Sequence, residues 1–443
     1  MTRRLAWEIL RSGDPFPTRR VGPAARAHGL DARERGFLRR LVAGEVRRRG
    51  TLAALVRHFA RGRPNSDLAA HLRLGLLQLF FLDQVPDHAA VSETVGAAAD
   101  TLGRSKAPYV NAVLRAALRA RCAGHSGDPR RDLVGRELHL AEPVFRDPRE
   151  HPLLWAEDAL SMPAGILGPW VARFGREKAE ELARAALEEP ALSIRCAHGE
   201  REELRIELAA ALDLDPLSGR HEAILLVPAR ATEVLLESAA FREGRVTVQG
   251  EGALRCAELC AAAAGERWLD LCAAPGGKTA VLAAAGPRVL ACDVDAGRLE
   301  RLRATLARLG LAERVRSELV ERASAAEPGP FDGVLVDVPC SNSGVLGARP
   351  EARWRTGARA RASLAELQAG LLHAGAARVR PGGRLVYSTC SLEPEENGRR
   401  VRAFLELEAG GGWELDLELE LVPEPSDPAA AVDGAYAARL RRR

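Results

Sequence analysis

The sequence predicts a multidomain chain: an all-α helical bundle, a small α+β subdomain behind it, and an α/β domain with a Rossmann-like, doubly wound sheet. Three observations carry this reading. Apolar residues recur at spacings of three and four through roughly the first 120 positions. Beyond them, short β-type runs alternate with helical ones. Finally, WLDLCAAPGGKT, from Trp268 to Thr279, passes from an apolar run through Pro275-Gly276-Gly277 into an Ala-rich helical run. Strand, glycine turn and helix in that order open a doubly wound sheet, whose ligand sits at the strand's carboxyl end and the helix N-terminus.

Whole-chain properties bound the reading. A length of 443 residues suffices for two or three domains, each with its own core. An apolar content of 47% is that of a globular chain, and no apolar run is long enough to predict a membrane span. MTRRLAWEILR offers no signal-peptide core. The eight cysteines form neither a CxxC pair nor a regular framework, so a reduced, cytoplasmic protein without a bound metal is expected. Residues 1–125 hold 22 Lys/Arg against 10 Asp/Glu, whereas the remainder holds 42 against 50, so the basic charge is N-terminal. Such a face serves either nucleic acid or plain solvation. The chain uses 61 Arg but three Lys, and only four Asn and three Tyr. One of the three lysines, Lys278, lies in the glycine turn, and Asn342, Asn397 and Tyr387 cluster around two cysteines considered below.

Taken in order, residues 1–125 read as a bundle, with helical runs at Leu5–Leu10, Arg33–Arg48, Leu52–Phe59, Leu68–Leu82, Val91–Leu102 and Val110–Arg121. Leu72, Leu76, Leu79 and Phe80 predict one buried stripe, and Arg39, Arg40, Arg47, Arg48 and Arg49 are left for solvent or phosphate. Residues 126–150, rich in Gly, Pro, Asp and Arg, read as a linker. Residues 151–245 begin with helices between Met162 and Leu187 and continue as an α+β module. Residues 246–443 alternate strand and helix, with strands expected at Arg267–Leu271, Val289–Asp293, Phe331–Val336 and Gly383–Ser388, and a final one near Asp433–Leu440.

Chemistry concentrates at the strand ends. Asp293 ends a run 17 residues after Gly276, a suitable place for an acid that bonds a ribose hydroxyl pair. Asp337-Val338-Pro339-Cys340-Ser341 follows one expected strand and Tyr387-Ser388-Thr389-Cys390-Ser391 another, so a carboxylate and two thiols converge on the cleft of the glycine turn. A free cysteine is usually a small buried hydrophobe; two, each at a strand end among polar residues, suit covalent catalysis better. A thiolate adding to C6 of cytosine makes C5 nucleophilic toward a sulfonium methyl, and an acid at N3 neutralises the charge that develops.

With PGGKT, DVPCS, YSTCS and EPEEN in this order, the chain resembles the S-adenosylmethionine-dependent RNA cytosine-C5 methyltransferases of the NOL/NOP2/Sun type. DARERGFLRRLVAGEVRRRGTL, LRLGLLQLFFLDQVPDHAAVSETV and YVNAVLRAALR resemble the NusB-type RNA-binding domain fused to the bacterial rRNA branch of that family. The resemblance implies methylation of small-subunit (16S) rRNA, naked or partly assembled, by a monomer. Residue by residue, it implies that Cys390 is the nucleophile, that Cys340 assists release, and that Asp337 lies between cofactor and base. It further implies that Cys272, Ala273, Ala274, Pro275, Gly276, Gly277 and Lys278 surround the cofactor and Asp293 binds its ribose. Glu395, Glu396 and Asn397 would steady the loop after the nucleophile. Residues 151–245 would be an RNA-contacting subdomain, on the match of WVARFG and PALSIR.

Three departures stand out. Where the family carries Gly-Asp on the adenine side, this chain has Ser317-Glu318, with Glu318 or Glu321 as the substitute. Where it reads Gln-Asp before the glycine turn, this chain reads Gln249-Gly250-Glu251-Gly252. Where it pairs two aromatics near the C-terminus, this chain has Ala435-Tyr436. None removes a reacting group. The alternatives are the same reaction on tRNA, and an RNA-binding assembly factor without methyl transfer.

Overall fold

In the computed structural model, which describes residues 1–320, 330–355, 357–407, 412–427 and 433–443, the chain divides into two units. The first comprises Met1–Glu188 with residues 346–355, and the second comprises Glu189–Val345 with Gly357–Arg443.

The first unit opens with helices Thr2–Arg11, Pro17–Ala27, Ala32–Arg47, Arg49–Phe59, Ser66–Phe81, Asp87–Leu102 and Ala107–Arg119. Their starts follow from local chemistry. The Asp31 carboxylate accepts the Glu34 N–H at 2.7 Å while the Glu34 side chain receives the Asp31 N–H, and Asn65 accepts from Leu68 N at 2.9 Å. Leu72, Leu76, Leu79 and Phe80 are buried as their spacing requires. Helix Pro17–Ala27 begins at a proline and tolerates a second, Pro23, inside it.

The arginine row is corrected by the structure. Arg39 and Arg40 are exposed, but Arg47 and Arg48 are buried. Arg48 donates to the Val134 carbonyl at 2.9 Å and pairs with Glu188 at 3.1 Å, while Arg49 pairs with buried Glu45. These residues hold the unit together rather than facing phosphate.

β1 (Arg121–Ala123), just before the stretch read as a linker, pairs antiparallel with β2 (Leu138–Leu140) inside it, and Leu133, Leu140 and Phe145 are buried. Helices Pro152–Ala159, Ala164–Phe174 and Arg176–Ala185 complete this unit, so the division falls at Glu188 and not near residue 150. Residues 346–355 join it as well. Arg353, fully buried there, donates to the carbonyls of Arg47, Ser161 and Ala186.

The second unit starts with β3 (Leu192–Cys196), β4 (Leu217–Ser218), β5 (Ile224–Val227) and β6 (Val246–Val248), forming a sheet in the order β4-β5-β3-β6. Ile194, Leu204, Leu208, Leu225 and Val227 pack it against helix Arg201–Leu212. Seven further strands follow: β7 (Arg267–Asp270), β8 (Arg288–Asp293), β9 (Val315–Leu319), β10 (Phe331–Asp337), β11 (Val379–Thr389), β12 (Trp413–Leu421) and β13 (Ala435–Arg442). Their order is β12-β13-β11-β10-β7-β8-β9, parallel except that β13 runs antiparallel to both β11 and β12. The chain winds outward from β7 to β9 and then restarts at β10 on the other side of β7. That reversal is the topological switch point where doubly wound sheets bind ligands. The expected strands are all present. The edge strand β12 was not anticipated, although its alternation of Trp413, Leu415, Leu417, Leu419 and Leu421 made it legible.

Gly333 sits opposite Trp268 in the β10–β7 register, and a Cβ there would fall inside the Trp268 indole. Gly333→Ala is expected to destabilise the second unit by about 1–3 kcal/mol through overpacking. Thermal denaturation checks this, and an unchanged midpoint would contradict the tight packing of that pair.

Candidate active site

The site is built at the carboxyl ends of β7, β8, β10 and β11. After β7 the chain turns at Gly276, whose φ of +104° suits glycine, and enters helix Gly277–Ala284. Asp270, at the end of β7, is fully buried and accepts from the Thr279 hydroxyl at 2.7 Å, tying strand to helix across the turn. Its other oxygen has no hydrogen-bond partner. Burial, with nearby Asp337, pushes this carboxyl up to about 7 from its ordinary 3.8, while the Thr279 bond and Lys278 only moderate the shift.

Asp293 closes β8, also buried. Its oxygens accept from Ala274 N at 3.2 Å and Asp295 N at 3.1 Å, and Arg298 pairs with it at 3.3 Å while donating to the Ala274 carbonyl. The acid and the glycine turn therefore form one braced structure. Val294, next in sequence, is 79% exposed, an apolar face beside the acid. Neither Val294 nor Arg298 was anticipated, because no spacing rule singles them out.

Glu318 lies on β9 opposite Cys292, and Leu319 lies opposite Asp293. The Glu318 carboxylate is engaged by Arg316 of its own strand. Glu321, the rival position, lies outside the described residues. Before the glycine turn, Gln249 accepts from Arg195 at 2.7 Å. Gly250 and Gly252 are glycines for a packing reason. A Cβ on Gly250 would collide with the Asp433 carboxylate, and one on Gly252 would lie 2.8 Å from the Ala435 Cβ. The Asp433 carboxylate thus stands where a side chain at position 250 would begin.

β10 and β11 pair in parallel with Asp337 opposite Ser388, so the loops that follow leave the sheet side by side. The Asp337 carboxylate accepts from Ser388 Oγ at 2.8 Å and pairs with Lys278 Nζ at 2.8 Å. Burial alone would depress the Lys278 ammonium. Asp337, with the thiols of Cys256 and Cys390, more than reverses this and holds it above its ordinary range. The Sγ atoms of Cys340 and Cys390 are 3.2 Å apart, both free thiols. The hydrogen bond it shares with Cys390, then burial, holds the Cys340 thiol well above its ordinary range. Cys340 is 6% exposed, whereas Cys390 is half-buried.

The loops are braced from outside. Buried Glu396 accepts from Ser341 N and Oγ and from Gln368 Nε2, which also donates to the Pro339 carbonyl. Asn397 accepts from Thr389 Oγ1 at 2.6 Å and donates to the Ser391 carbonyl. Glu395, expected to share this work, is exposed. Gln368 comes from helix Ala358–Ala376, too far along the chain for a sequence motif to flag. The expected residues of the glycine turn, Asp293, Asp337, Cys340 and Cys390 therefore lie at adjoining strand ends. Among the described residues, no group of His, Cys, Asp or Glu could hold a metal ion, and no helix is long and apolar enough to cross a membrane.

Comparison with known proteins agrees with this architecture. A family described as "16S rRNA methyltransferase RsmB/F" matches residues 257–417, and the NusB family matches residues 7–119. A protein named ribosomal RNA small subunit methyltransferase B from Pseudomonas syringae pv. tomato is 32% identical over 93% of this chain and 86% of its own length. Its namesake from Pseudomonas putida is 35% identical over 88% and 85%. Among solved structures, the crystal structure of PH0851 covers 100% of this chain and 98% of its own with a TM-score of 0.76 at 22% identity. NSun6 from Pyrococcus horikoshii with SFG covers 63% and 98% with a TM-score of 0.53 at 20% identity. At such identities the structural likeness is one of fold.

The Asp270 carboxyl yields a pH prediction. It titrates near 7 folded and near 3.8 unfolded, so its contribution to stability is full below about pH 4 and is lost as pH rises through 7. Asp270→Asn keeps an oxygen for Thr279 and removes the titration. The variant should gain on the wild type, by a few kcal/mol at most, between about pH 4 and 7. Urea denaturation at both ends of that window checks it.

Proposed function

This chain belongs to the RsmB/F family of 16S rRNA methyltransferases and is an S-adenosylmethionine-dependent rRNA methyltransferase; from that premise we propose that it methylates carbon 5 of a cytosine in small-subunit rRNA through a covalent cysteine adduct. The observation that carries this reading is the approach of two thiols, one half-buried and one held protonated, beside a lysine–aspartate pair at the switch point of the sheet.

The two thiols take different parts. Cys390 is the nucleophile: it is the more accessible, and the Lys278 cation beside it favours its thiolate. Its sulfur bonds to C6 while the C5–C6 π pair moves onto C5. Asp337 lies toward N3, and its Lys278 partner, 2.8 Å away, brings the positive charge that opposes the negative charge addition develops. Once C5 carries the methyl group, its proton leaves to a base and the Cys390–C6 bond breaks, restoring the ring. Cys340 keeps its proton and supports that release.

The residues fit the cofactor. The turn of Cys272, Ala273, Ala274, Pro275, Gly276, Gly277 and Lys278 lets backbone approach a ligand, and Asp293 keeps acceptor capacity for a ribose hydroxyl pair. Exposed Val294 would offer an adenine ring an apolar face, and Glu318 and Asp337 would be further acids holding the cofactor. S-adenosylmethionine bound there supplies an electrophilic methyl group. The base must leave its stack to reach Cys390, so naked or partly assembled rRNA is the better substrate. The N-terminal bundle with its exposed Arg39 and Arg40, and the subdomain before β7, serve as RNA-binding parts of a cytoplasmic monomer.

Methyl transfer to protein-free small-subunit rRNA, mapped by bisulfite sequencing, tests the reading: a single protected cytosine is expected. With RNA carrying 5-azacytidine, Cys390→Ala should form no adduct stable to denaturing gel electrophoresis. Cys340→Ala should form it and release ordinary RNA slowly, so that covalent complex accumulates. The reverse pattern would overturn the assignment of roles. RNA affinity should fall steeply between about 50 and 200 mM salt through counterion release. A flat dependence, read by filter binding, would contradict phosphate contacts.

A further inference from the structure

Asn342 follows the Cys340-Ser341 pair in a left-handed backbone conformation, φ +61°, and is 9% exposed. Asparagine tolerates that region better than most residues, yet glycine would enter it at lower cost. A turn alone does not need the amide, so the question is what the amide does.

Its orientation is settled by its partners. Asn342 Nδ2 donates to the Cys340 carbonyl at 2.8 Å, and only the nitrogen can face a carbonyl oxygen. Asn342 Oδ1 therefore faces the other way, where Cys390 Sγ donates to it at 3.4 Å. The single proton of Cys390 being directed there, the 3.2 Å contact between the thiols has Cys340 as its donor. A ring results: Cys340 S–H to Cys390, Cys390 S–H to Asn342, and Asn342 N–H back to the Cys340 backbone. The loop is pinned around it, with Gly344 N donating to the Cys390 carbonyl at 3.0 Å and Val345 N to the Asn342 carbonyl at 3.1 Å.

We infer that Asn342 is a positioning residue for the reaction: its amide links the loops of the two cysteines, aims the Cys390 sulfur and stabilises its thiol form before substrate binds. The inference rests on the reading of Cys390 as nucleophile. Backbone strain here is spent on placing a functional group at the reacting atom.

The test is Asn342→Gly, which keeps the left-handed residue and deletes only the amide. The groups around the thiol pair, namely Cys340, Cys256, Lys278 with Asp337, and Glu396, are left in place. Iodoacetamide alkylation of Cys390, resolved by peptide mass spectrometry, is followed against pH in both proteins. Removing an acceptor that stabilises the thiol should move the half-maximal pH down by about half to one unit. In parallel, kcat for methyl transfer should fall about tenfold with KM for RNA nearly unchanged, as expected for an interaction made to the nucleophile and not to the substrate. The thermal midpoint should hold or rise, because strain is relieved. An unmoved alkylation profile overturns the inference, since a mere turn residue would leave it unmoved. A moved profile with kcat intact overturns it as well, because the hydrogen bond would then be irrelevant to turnover. The alkylation readout does not depend on which cysteine attacks the base, so failure of the covalent reading itself is recognised separately, by adduct formation in Cys390→Ala.

Discussion

Everything at the site depends on the parallel pairing of β10 with β11. With Asp337 opposite Ser388, the two loops leave the sheet together, and the thiols they carry meet at 3.2 Å. A slip of one residue would turn each strand's side chains to the opposite face and separate carboxylate from thiol. The register is secured on both sides. Inside, Val334, Val336, Leu385 and Tyr387 belong to one core. Outside, Val338 N reaches the Ser388 carbonyl and Gly344 N the Cys390 carbonyl. Glu396 then spends its buried carboxylate on Ser341 and Gln368, a charge tolerable there only because several donors receive it.

Electrostatics sort the three acids of the cleft by partner. Asp337 has Lys278 and Asp293 has Arg298, each a cation supplied from the helix that follows β7 or β8. Asp270 is bonded by the Thr279 hydroxyl rather than an ion pair, and burial pushes its carboxyl up to about 7. The same logic separates the thiols. Cys390 has a lysine nearby, while Cys340, deeper and donating to its neighbour, keeps its proton. A cleft that must stabilise both a thiolate and an acid thus obtains each from burial and neighbours rather than from unusual residue types.

Two features show how distant parts of the chain adjust to one another. Residues 346–355 leave the second unit just after the Cys340 loop and are built into the first, where Arg353 donates to backbone carbonyls that include those of Arg47, Ser161 and Ala186. Near β7, Gly250 and Gly252 are small because Asp433 and Ala435 occupy the space their side chains would need. The place a side chain at position 250 would take is occupied by the Asp433 carboxylate, contributed from the other end of the domain.

The sequence alone determined the class of each domain, because helical and strand periodicities differ and the glycine turn has few other uses. It also marked the candidate site residues. Two cysteines, an aspartate and a scarce lysine at strand ends were legible from type and position, since a strand's carboxyl end is where a doubly wound sheet presents side chains. Tertiary structure decided what depends on residues distant in sequence. Arg47 and Arg48 read as a solvent row, but their partners arrive from residues 347, 134 and 188 and bury them. Residues 126–150 read as a linker from composition, while pairing with β1 and burial of Leu133 and Phe145 gave them structure. Asn342 was visible as a rare residue beside a cysteine. Only the fold could bring its amide to the other cysteine, 48 positions away, because that contact follows from strand register and loop conformation rather than from local spacing.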